Sequence, residues 1–349
     1  MNVRLVIAGV IICLPHMGAT QGFAGLGTQV EGFAIPDRQN TLEFPLDHGS
    51  HPNFRIEWWY MTANLNGDDG GEYGVQWTLF RIARGPGDRA GWSSPQIWVG
   101  HAGLTTEDAM YYDERWARGG IGQAGVSIQP FTAWIDNWAM ASPDQTLQNL
   151  TVTASGGRFA YNLAMTARGP LVRHGDNGYS VKSAGGQASH YYSQPRYDVT
   201  GTLTLADGSV EVTGQGWLDR EWSSQPLAKD QNGWDWFSLS FDSGAKLMGF
   251  ILRGDSGDYS SGTWIDAEGS ATPLAPGAFQ AVPLDYSIVE GRTVPVTWQV
   301  NLPEHEVSVM IQPINEQSWM GTSVPYWEGP VTISGSHTGR GYLEMTGYE

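Results

Sequence analysis

The chain has 349 residues, which at about 150 residues per domain is enough for two domains and excludes a single small disulfide-stapled module. Asp plus Glu (36) exceed Lys plus Arg (19), and the formal net charge of -17 argues against nucleic-acid binding, which needs clustered cationic side chains. The 16 Trp, 14 Tyr and 11 Phe beside 46 Gly and 19 Pro are typical of an aromatic-rich, turn-rich β protein.

The N-terminus has the pattern of a secretory signal. A basic start precedes an apolar run over residues 5–14, and small residues follow that run. Cleavage after Ala19 or Ala24 would remove Cys13, the only cysteine, so the mature chain would form no disulfide. We therefore expect residues 1–24 to be a cleaved signal peptide and the mature protein to be periplasmic or secreted.

Beyond the signal, short runs of alternating apolar and polar residues dominate, which is the pattern of β-strands. The runs are 54–60, 74–80, 151–153, 159–165, 197–205, 236–241, 246–252 and 296–300. Loops rich in Gly and Asp separate many of them, as in hairpins. The pattern predicts an all-β fold of antiparallel meanders, in sandwiches or up-and-down barrels, with helix only in short caps.

One strand–turn–strand pattern occurs twice, at 54–84 and at 234–253, which suggests two similar β lobes. The Gly-rich, polar stretch 168–205 is the best boundary between them. We expect an N-terminal lobe at 25–195 and a C-terminal lobe at 196–349.

Familiar catalytic motifs are absent from the sequence. It contains no Gly-x-Ser-x-Gly elbow, no phosphate-binding loop, and no His-x-His or His-Glu-x-x-His spacing. The eight histidines are scattered rather than clustered. We therefore expect neither a metal ion nor an organic cofactor.

Acidic residues lie among tryptophans in the segment 216–224. In a strand, Trp217, Asp219 and Glu221 face one way, and Leu218, Arg220 and Trp222 face the other. Two carboxyls about 7 Å apart on an apolar face raise each other's pKa by desolvation and repulsion, which keeps an acid protonated near neutral pH. Such a group can donate a proton. The alternative is that Arg220 and Arg253 form buried ion pairs with these carboxylates and tie the lobes together.

A second group of candidates lies at 55–60. In a strand, Arg55, Glu57 and Trp59 share one face, and Ile56, Trp58 and Tyr60 share the other. A barrel wall of this kind can bind a flat or elongated apolar ligand, with Glu57 or Tyr60 as its polar contact. The alternative is a core pair of tryptophans with a hydrogen-bonded Glu.

Further candidates lie outside these two segments. His101, in an apolar strand, is either a general base or a hydrogen-bonded core histidine. Tyr191 and Tyr192 offer hydroxyls near the lobe boundary, and Trp234 and Trp236 extend the aromatic surface. Hydrogen bonding and packing within the core are the alternatives for these four.

The same segments carry a family resemblance. The matching stretches are 57–60, 100–108, 191–196, 216–222, 233–237 and 341–348, in order along nearly the whole mature chain. On them the chain resembles the secreted, lipocalin-like family that includes AttH-like proteins, often labelled secreted hydrolases, and carotenoid 1,2-hydratases. The resemblance implies two lipocalin-like, calycin-type antiparallel β-barrel lobes packed together.

The resemblance also implies a chemistry. The characterised enzymes of this family add water across an isoprenoid C=C bond without metal or organic cofactor. A side-chain acid protonates the alkene, and aromatic faces stabilise the cation that water then traps. Asp219 fits the proton donor, with Glu221 or His101 placing the water. The chain is closer to the AttH-like branch, where an ABC-exporter context is implied.

Three hypotheses follow. The first is a cofactor-free hydratase acting on a bulky apolar, isoprenoid-like substrate, and the second is a non-catalytic periplasmic binder that passes a lipophile to an ABC transporter. The third is a partner-binding scaffold with two solid lobes. A monomer and a homodimer both stay open. The first two hypotheses require acidic side chains and indole rings around a water-poor hollow where the lobes meet. The residues expected to line the ligand site are Glu57, Trp58, Trp59, Tyr60, Tyr191, Tyr192, Trp217, Arg220, Trp222, Trp234 and Trp236.

Overall fold

The computed structural model describes residues 31–348, so the predicted signal peptide at 1–24 lies outside the described residues. Within that range the helical elements are three short 3-10 turns, at Leu46–His48, Gly91–Ser93 and Pro303–His305. No helix in this part of the chain is long and apolar enough to span a bilayer. All other regular structure is β-strand.

The first sheet has 13 strands and forms a nearly closed barrel. They are β1 (Ile56–Gly67), β2 (Glu72–Ala83), β3 (Gln96–Thr105), β4 (Met110–Arg118), β5 (Ala124–Ile128), β6 (Phe131–Ile135), β7 (Trp138–Ala141), β8 (Asn149–Ser155), β9 (Phe159–Ala167), β10 (Val172–Arg173), β11 (Tyr179–Val181), β12 (Ala188–Leu205) and β13 (Gly208–Ser223). The order is β4-β3-β2-β1-β13-β12-β9-β8-β7-β6-β5, and β10 and β11 pair with β12. Strands β3 and β4 near one end of this order contact β6 near the other, which brings the two edges together.

The second sheet has 10 strands and forms a half-barrel. They are β14 (Gln231–Phe241), β15 (Lys246–Gly254), β16 (Tyr259–Ile265), β17 (Ala271–Pro273), β18 (Gln280–Val289), β19 (Arg292–Leu302), β20 (Val307–Pro313), β21 (Trp319–Met320), β22 (Tyr326–Gly335) and β23 (Gly339–Thr346). The order is β17-β16-β15-β14-β23-β22-β20-β19-β18, and β21 pairs with β22. The prediction of an all-β protein with two lipocalin-like lobes is confirmed.

The chain passes from the first sheet to the second between Ser223 and Gln231. The division predicted at 195/196 falls inside β12, which lies entirely in the first sheet and pairs with both β9 and β13. The Gly-rich stretch before β12 therefore contributes loops of the first lobe. The two predicted strand–turn–strand units are the hairpins β1–β2 and β14–β15.

Both faces of the central strands are buried, because the barrel has its own core and its outer surface packs on the second sheet. In β1, Trp59 and Met61 point into the barrel core, whereas Tyr60 belongs to a separate cluster between the sheets. We call this cluster the seam. Its buried members are Tyr60, Val172, Tyr191, Trp217, Leu227, Trp236, Met248, Phe250, Leu252, Ile265 and Tyr342.

The two lobes approach closely at Gly74 of β2. A Cβ atom there would lie 2.5 Å from the ring of Pro330 in β22, a distance that real Cβ atoms do not reach. Glycine at this position therefore permits the tight contact between the two sheets.

Candidate functional site

The predicted alternation of β13 is confirmed. Trp217 belongs to the seam, whereas Leu218 and Trp222 belong to the core of the first barrel. Asp219 and Glu221 lie on the same face as Trp217 and are 3% and 6% exposed. The acidic pair is therefore enclosed between the lobes and beside an indole ring.

Asp219 is held by three hydrogen-bond donors. The Tyr191 hydroxyl donates to Oδ2 at 2.5 Å, the Trp217 Nε1–H donates to Oδ1 at 2.6 Å, and the Ser193 hydroxyl donates to Oδ1. Trp236 of the second sheet donates from Nε1 to the Tyr191 hydroxyl at 3.1 Å. Desolvation raises the pKa of Asp219 to about 7, although the three donors oppose that shift.

Glu221 has a cation beside it. Its Oε1 lies 2.9 Å from the Lys182 ammonium and accepts the Ser189 hydroxyl. The same ammonium lies 4.7 Å from the Tyr191 ring centroid and 4.3 Å from that of Phe250, so it is held by aromatic faces. The negative charge of Glu221 contributes to the raised pKa of Asp219.

The two arginines expected to pair with this acidic face do not do so. Arg220 points into the first barrel, where its Nη2 lies 3.1 Å from Glu57 Oε2. Arg253 pairs with Asp235, at 3.2 Å between Nε and Oδ2. The predicted alternative, in which these arginines neutralise Asp219 and Glu221, is therefore wrong.

Glu57 is part of a closed ion-pair network. The carboxylate contacts Arg81, Arg220 and the ring of His51, whose Nδ1 is 3.0 Å from Oε2. Burial pushes the pKa of Glu57 upward, but the charges of Arg81 and Arg220 and the His51 hydrogen bond hold it well below its ordinary value. Glu57 and Arg220 thus pair with each other. Glu57 is therefore not the free polar contact for a ligand that the sequence suggested.

Three further predicted ligand contacts lie on the barrel side rather than in the seam. The Arg220 guanidinium lies 3.8 Å from the centroid of Trp59, and the ring of Trp222 stacks on His51 at 3.9 Å. The Tyr192 hydroxyl is 2.7 Å from Nδ1 of His48. These side chains belong to the core of the first barrel. The predicted contacts that do belong to the seam are Trp58, Tyr60, Tyr191, Trp217, Trp234 and Trp236.

The second sheet supplies two acids that the sequence reasoning missed, of which Glu328 is fully buried and Glu344 is half-buried. Glu328 of β22 lies directly opposite Glu344 of β23. The Tyr60 hydroxyl donates to Glu328 Oε1 at 2.6 Å, and Trp234 Nε1 donates to Glu344 Oε1 at 2.5 Å. Desolvation raises the pKa of Glu344 to about 7 and that of Glu328 well above its usual range. The sequence signal that could have identified them is a single Glu within each of the strands β22 and β23.

His101 faces the second sheet but stands away from Asp219. Cross-strand neighbours run from Asp219 through Tyr60 and Thr78 to His101, so three strand spacings, about 14 Å, separate the two backbones. The imidazole is hydrogen-bonded on both sides, 2.9 Å from the Tyr326 hydroxyl and 3.1 Å from a Glu114 oxygen. His101 is therefore not placed to hold a water molecule on Asp219.

A cavity of about 1070 Å³ opens at one end of the first barrel, on the other side of β12 from Asp219. It is therefore distinct from the hollow that the sequence predicted where the lobes meet. Its apolar lining includes Phe44, Leu147 and Leu171, and Gln194 contributes from β12. Within residues 31–348, no group of three or more His, Cys, Asp or Glu side chains is arranged to hold a metal ion.

Comparison with known proteins identifies the family to which the chain belongs. A family model described as AttH-like matches residues 35–348. An AttH protein from Nitrosomonas europaea is 31% identical, with 90% of this chain and 99% of that chain covered and a TM-score of 0.81. Kievitone hydratase from Nectria haematococca shares the fold at 15% identity, with 91% and 98% covered and a TM-score of 0.67. No curated protein matches the sequence. The predicted resemblance is thus confirmed, and the chain belongs to the AttH-like family.

Proposed function

We propose that this protein binds a bulky apolar, isoprenoid-like molecule at the seam and adds water to its C=C bond by acid catalysis. The observation that carries the proposal is the position of Asp219, a carboxyl buried between the lobes, beside indole rings and with a pKa near neutrality. A solved neighbour with the same fold is named a hydratase, which supports this choice of reaction.

The chemistry needs only side chains and water. Protonated Asp219 transfers its proton to one alkene carbon, and the π electrons form the new C–H bond, leaving a cation on the more substituted carbon. Rings of Trp217, Trp236 and Tyr60 surround Asp219 and stabilise that cation. Water adds to the cation and releases a proton to the carboxylate, which regenerates the acid. Trp58 and Trp234 are half-buried and pack against the seam, and we propose that the substrate enters beside them.

Replacing Asp219 by Asn tests the proposal. Purified protein is incubated with prenylated phenols and acyclic terpenoid alkenes in H₂¹⁸O, and products are read by mass spectrometry for one added water. We expect Asp219→Asn to lower kcat at least about 100-fold, as loss of a general acid does, while ligand binding persists.

Asp235→Asn is the matched control, because Asp235 is an equally buried carboxyl whose pKa burial raises to about 6, but it lies in the second sheet beside Arg253 and Tyr348. Turnover by Asp219→Asn at the wild-type rate would contradict the proposal.

The cavity at the end of the first barrel favours a second candidate function, a non-catalytic carrier. In this case the protein is exported by its N-terminal signal, binds a lipophile in the periplasm or outside the cell, and passes it to an ABC transporter. Apolar ligands would then quench Trp fluorescence without forming product. Leu171→Asp would abolish the quenching, and Asp219→Asn would leave it unchanged.

A further inference from the structure

A histidine that the sequence did not single out lies next to Asp219. His174 lies in the loop between β10 and β11 and is completely buried. Its Nε2 is 2.6 Å from the Ser193 hydroxyl oxygen, and Ser193 donates to Asp219. Its Nδ1 is 2.9 Å from the hydroxyl of Thr263 in β16 of the second sheet. A continuous line of hydrogen bonds therefore runs from the second lobe to Asp219.

The hydroxyl of Ser193 has one proton to donate, and the imidazole determines where it goes. When Asp219 is ionised, Thr263 donates to Nδ1, Nε2–H donates to Ser193, and Ser193 donates to the carboxylate. When Asp219 is protonated on Oδ1, every bond in the line reverses, and Nδ1–H donates to Thr263. Both arrangements satisfy every polar atom of the line, so His174 supports either state of Asp219 without becoming charged.

The surroundings keep His174 neutral. Desolvation, followed by the positive charge of Lys182, lowers the pKa of His174 to about 3. The other ionisable groups close to Asp219 are Glu221 on its own strand, Tyr60 opposite it on β1, Tyr191 on β12 and Glu344 on β23. None of these donates to the Ser193 oxygen, so the polarity of the Ser193 hydrogen bond depends on His174.

We propose that His174 is a positioning residue for Asp219: through Ser193 it sets the hydrogen bonding of the carboxyl, and through Thr263 it makes that bonding depend on docking of the second lobe. A role for His174 in catalysis rests on the proposed function. The geometry on which it stands is independent of any substrate.

The experiment titrates Asp219 without an assay of turnover. Trp217 donates to Asp219, so its fluorescence reports the charge on the carboxyl. The titration is recorded in a Glu344→Gln background, because Glu344 contacts Trp234 and ionises in the same range. Subtracting the same curve for Asp219→Asn isolates the Asp219 transition.

We expect His174→Phe to raise the midpoint by about one pH unit, because the carboxylate loses the polarised Ser193 donor. His174→Gln, which retains a donor and an acceptor, should restore the wild-type midpoint, and Thr263→Val should shift it upward by less. If His174→Phe does not fold, Thr263→Val decides the test. A wild-type midpoint in the folded variants overturns the inference. A shifted midpoint with no hydration of any alkene overturns the proposed function and leaves the inference standing.

Discussion

Strand β1 places a buried carboxyl, Glu57, on the barrel side and its neighbour β13 places Asp219 and Glu221 on the seam side, and the two sides differ in how they balance the charge. On the barrel side, Glu57 lies between Arg81 and Arg220, and its pKa is held low. On the seam side, Glu221 pairs with Lys182, but within residues 31–348 no cation lies at ion-pair distance from Asp219 or from Glu344 of β23, and desolvation raises the pKa of both to about 7. The barrel side therefore holds one carboxylate that stays ionised, whereas the seam holds two carboxyls, one from each sheet, that titrate near neutral pH.

The difference separates structural groups from groups suited to chemistry. A buried carboxylate with two arginine partners is stabilised in its ionised form, and here the carboxylate and Arg81 also hydrogen-bond the loop at His51. A buried carboxyl with hydrogen-bond donors but no paired cation is poised to exchange a proton. Counting the cations around each acid is thus a better guide to function here than the burial of the acid itself.

The largest expected change in unfolding free energy comes from Glu57 on the barrel side. Glu57→Gln leaves Arg81 and Arg220 buried without their shared carboxylate, so we expect a loss of about 3–5 kcal/mol of unfolding free energy. Urea denaturation monitored by circular dichroism at pH 7 measures it. A loss below about 1 kcal/mol would show that the network is not required for stability, and the contrast between the two faces would fail.

A smaller change in unfolding free energy, which depends on pH, is expected for Glu344→Gln in the seam. The folded-state pKa of Glu344 lies above its unfolded value, so the folded protein binds the extra proton and loses stability as pH rises from about 4.5 to about 7. Glu344→Gln removes that loss. Relative to wild type, the variant should gain about 2–3 kcal/mol between pH 5 and pH 7, at about 1.4 kcal/mol per unit.

Denaturation midpoints at pH 5, 6, 7 and 8 test this expectation. Parallel curves for wild type and Glu344→Gln would mean that the seam does not hold this carboxyl in its protonated form.

The sequence predicted the seam acids in part. Period-two alternation correctly put Asp219 with Trp217 on one face of β13 and Arg220 on the other. It did not show that Arg220 pairs with Glu57, 163 residues away, because partners across a sheet depend on strand order and register. When both faces of a strand are rich in aromatic residues, hydrophobic pattern alone does not tell which face meets the second lobe.

The same limit explains the other omissions. Glu328, Glu344 and His174 come from strands and a loop far from 216–224 in sequence, and only the packing of the lobes brings them together. The predicted boundary followed the Gly-rich composition of 168–205. The long strand β12 crosses that boundary because its pairing with β13 continues through it, with one irregularity between Gln194 and Tyr197.

The smallest change in unfolding free energy is expected from a Glu-to-Gln substitution in a more exposed ion pair that also links the lobes. Glu72 of β2 pairs with Arg340 of β23, and their side chains are 35% and 37% exposed. Solvent screens this pair and hydrates either partner when it is alone, so Glu72→Gln should change the unfolding free energy by less than about 1 kcal/mol at any pH between 5 and 8. Measured beside Glu57→Gln and Glu344→Gln, it separates loss of a charge from loss of a buried charge. If Glu72→Gln is as damaging as Glu57→Gln, the contacts between lobes, rather than the local balance of charge, determine the stability of this protein.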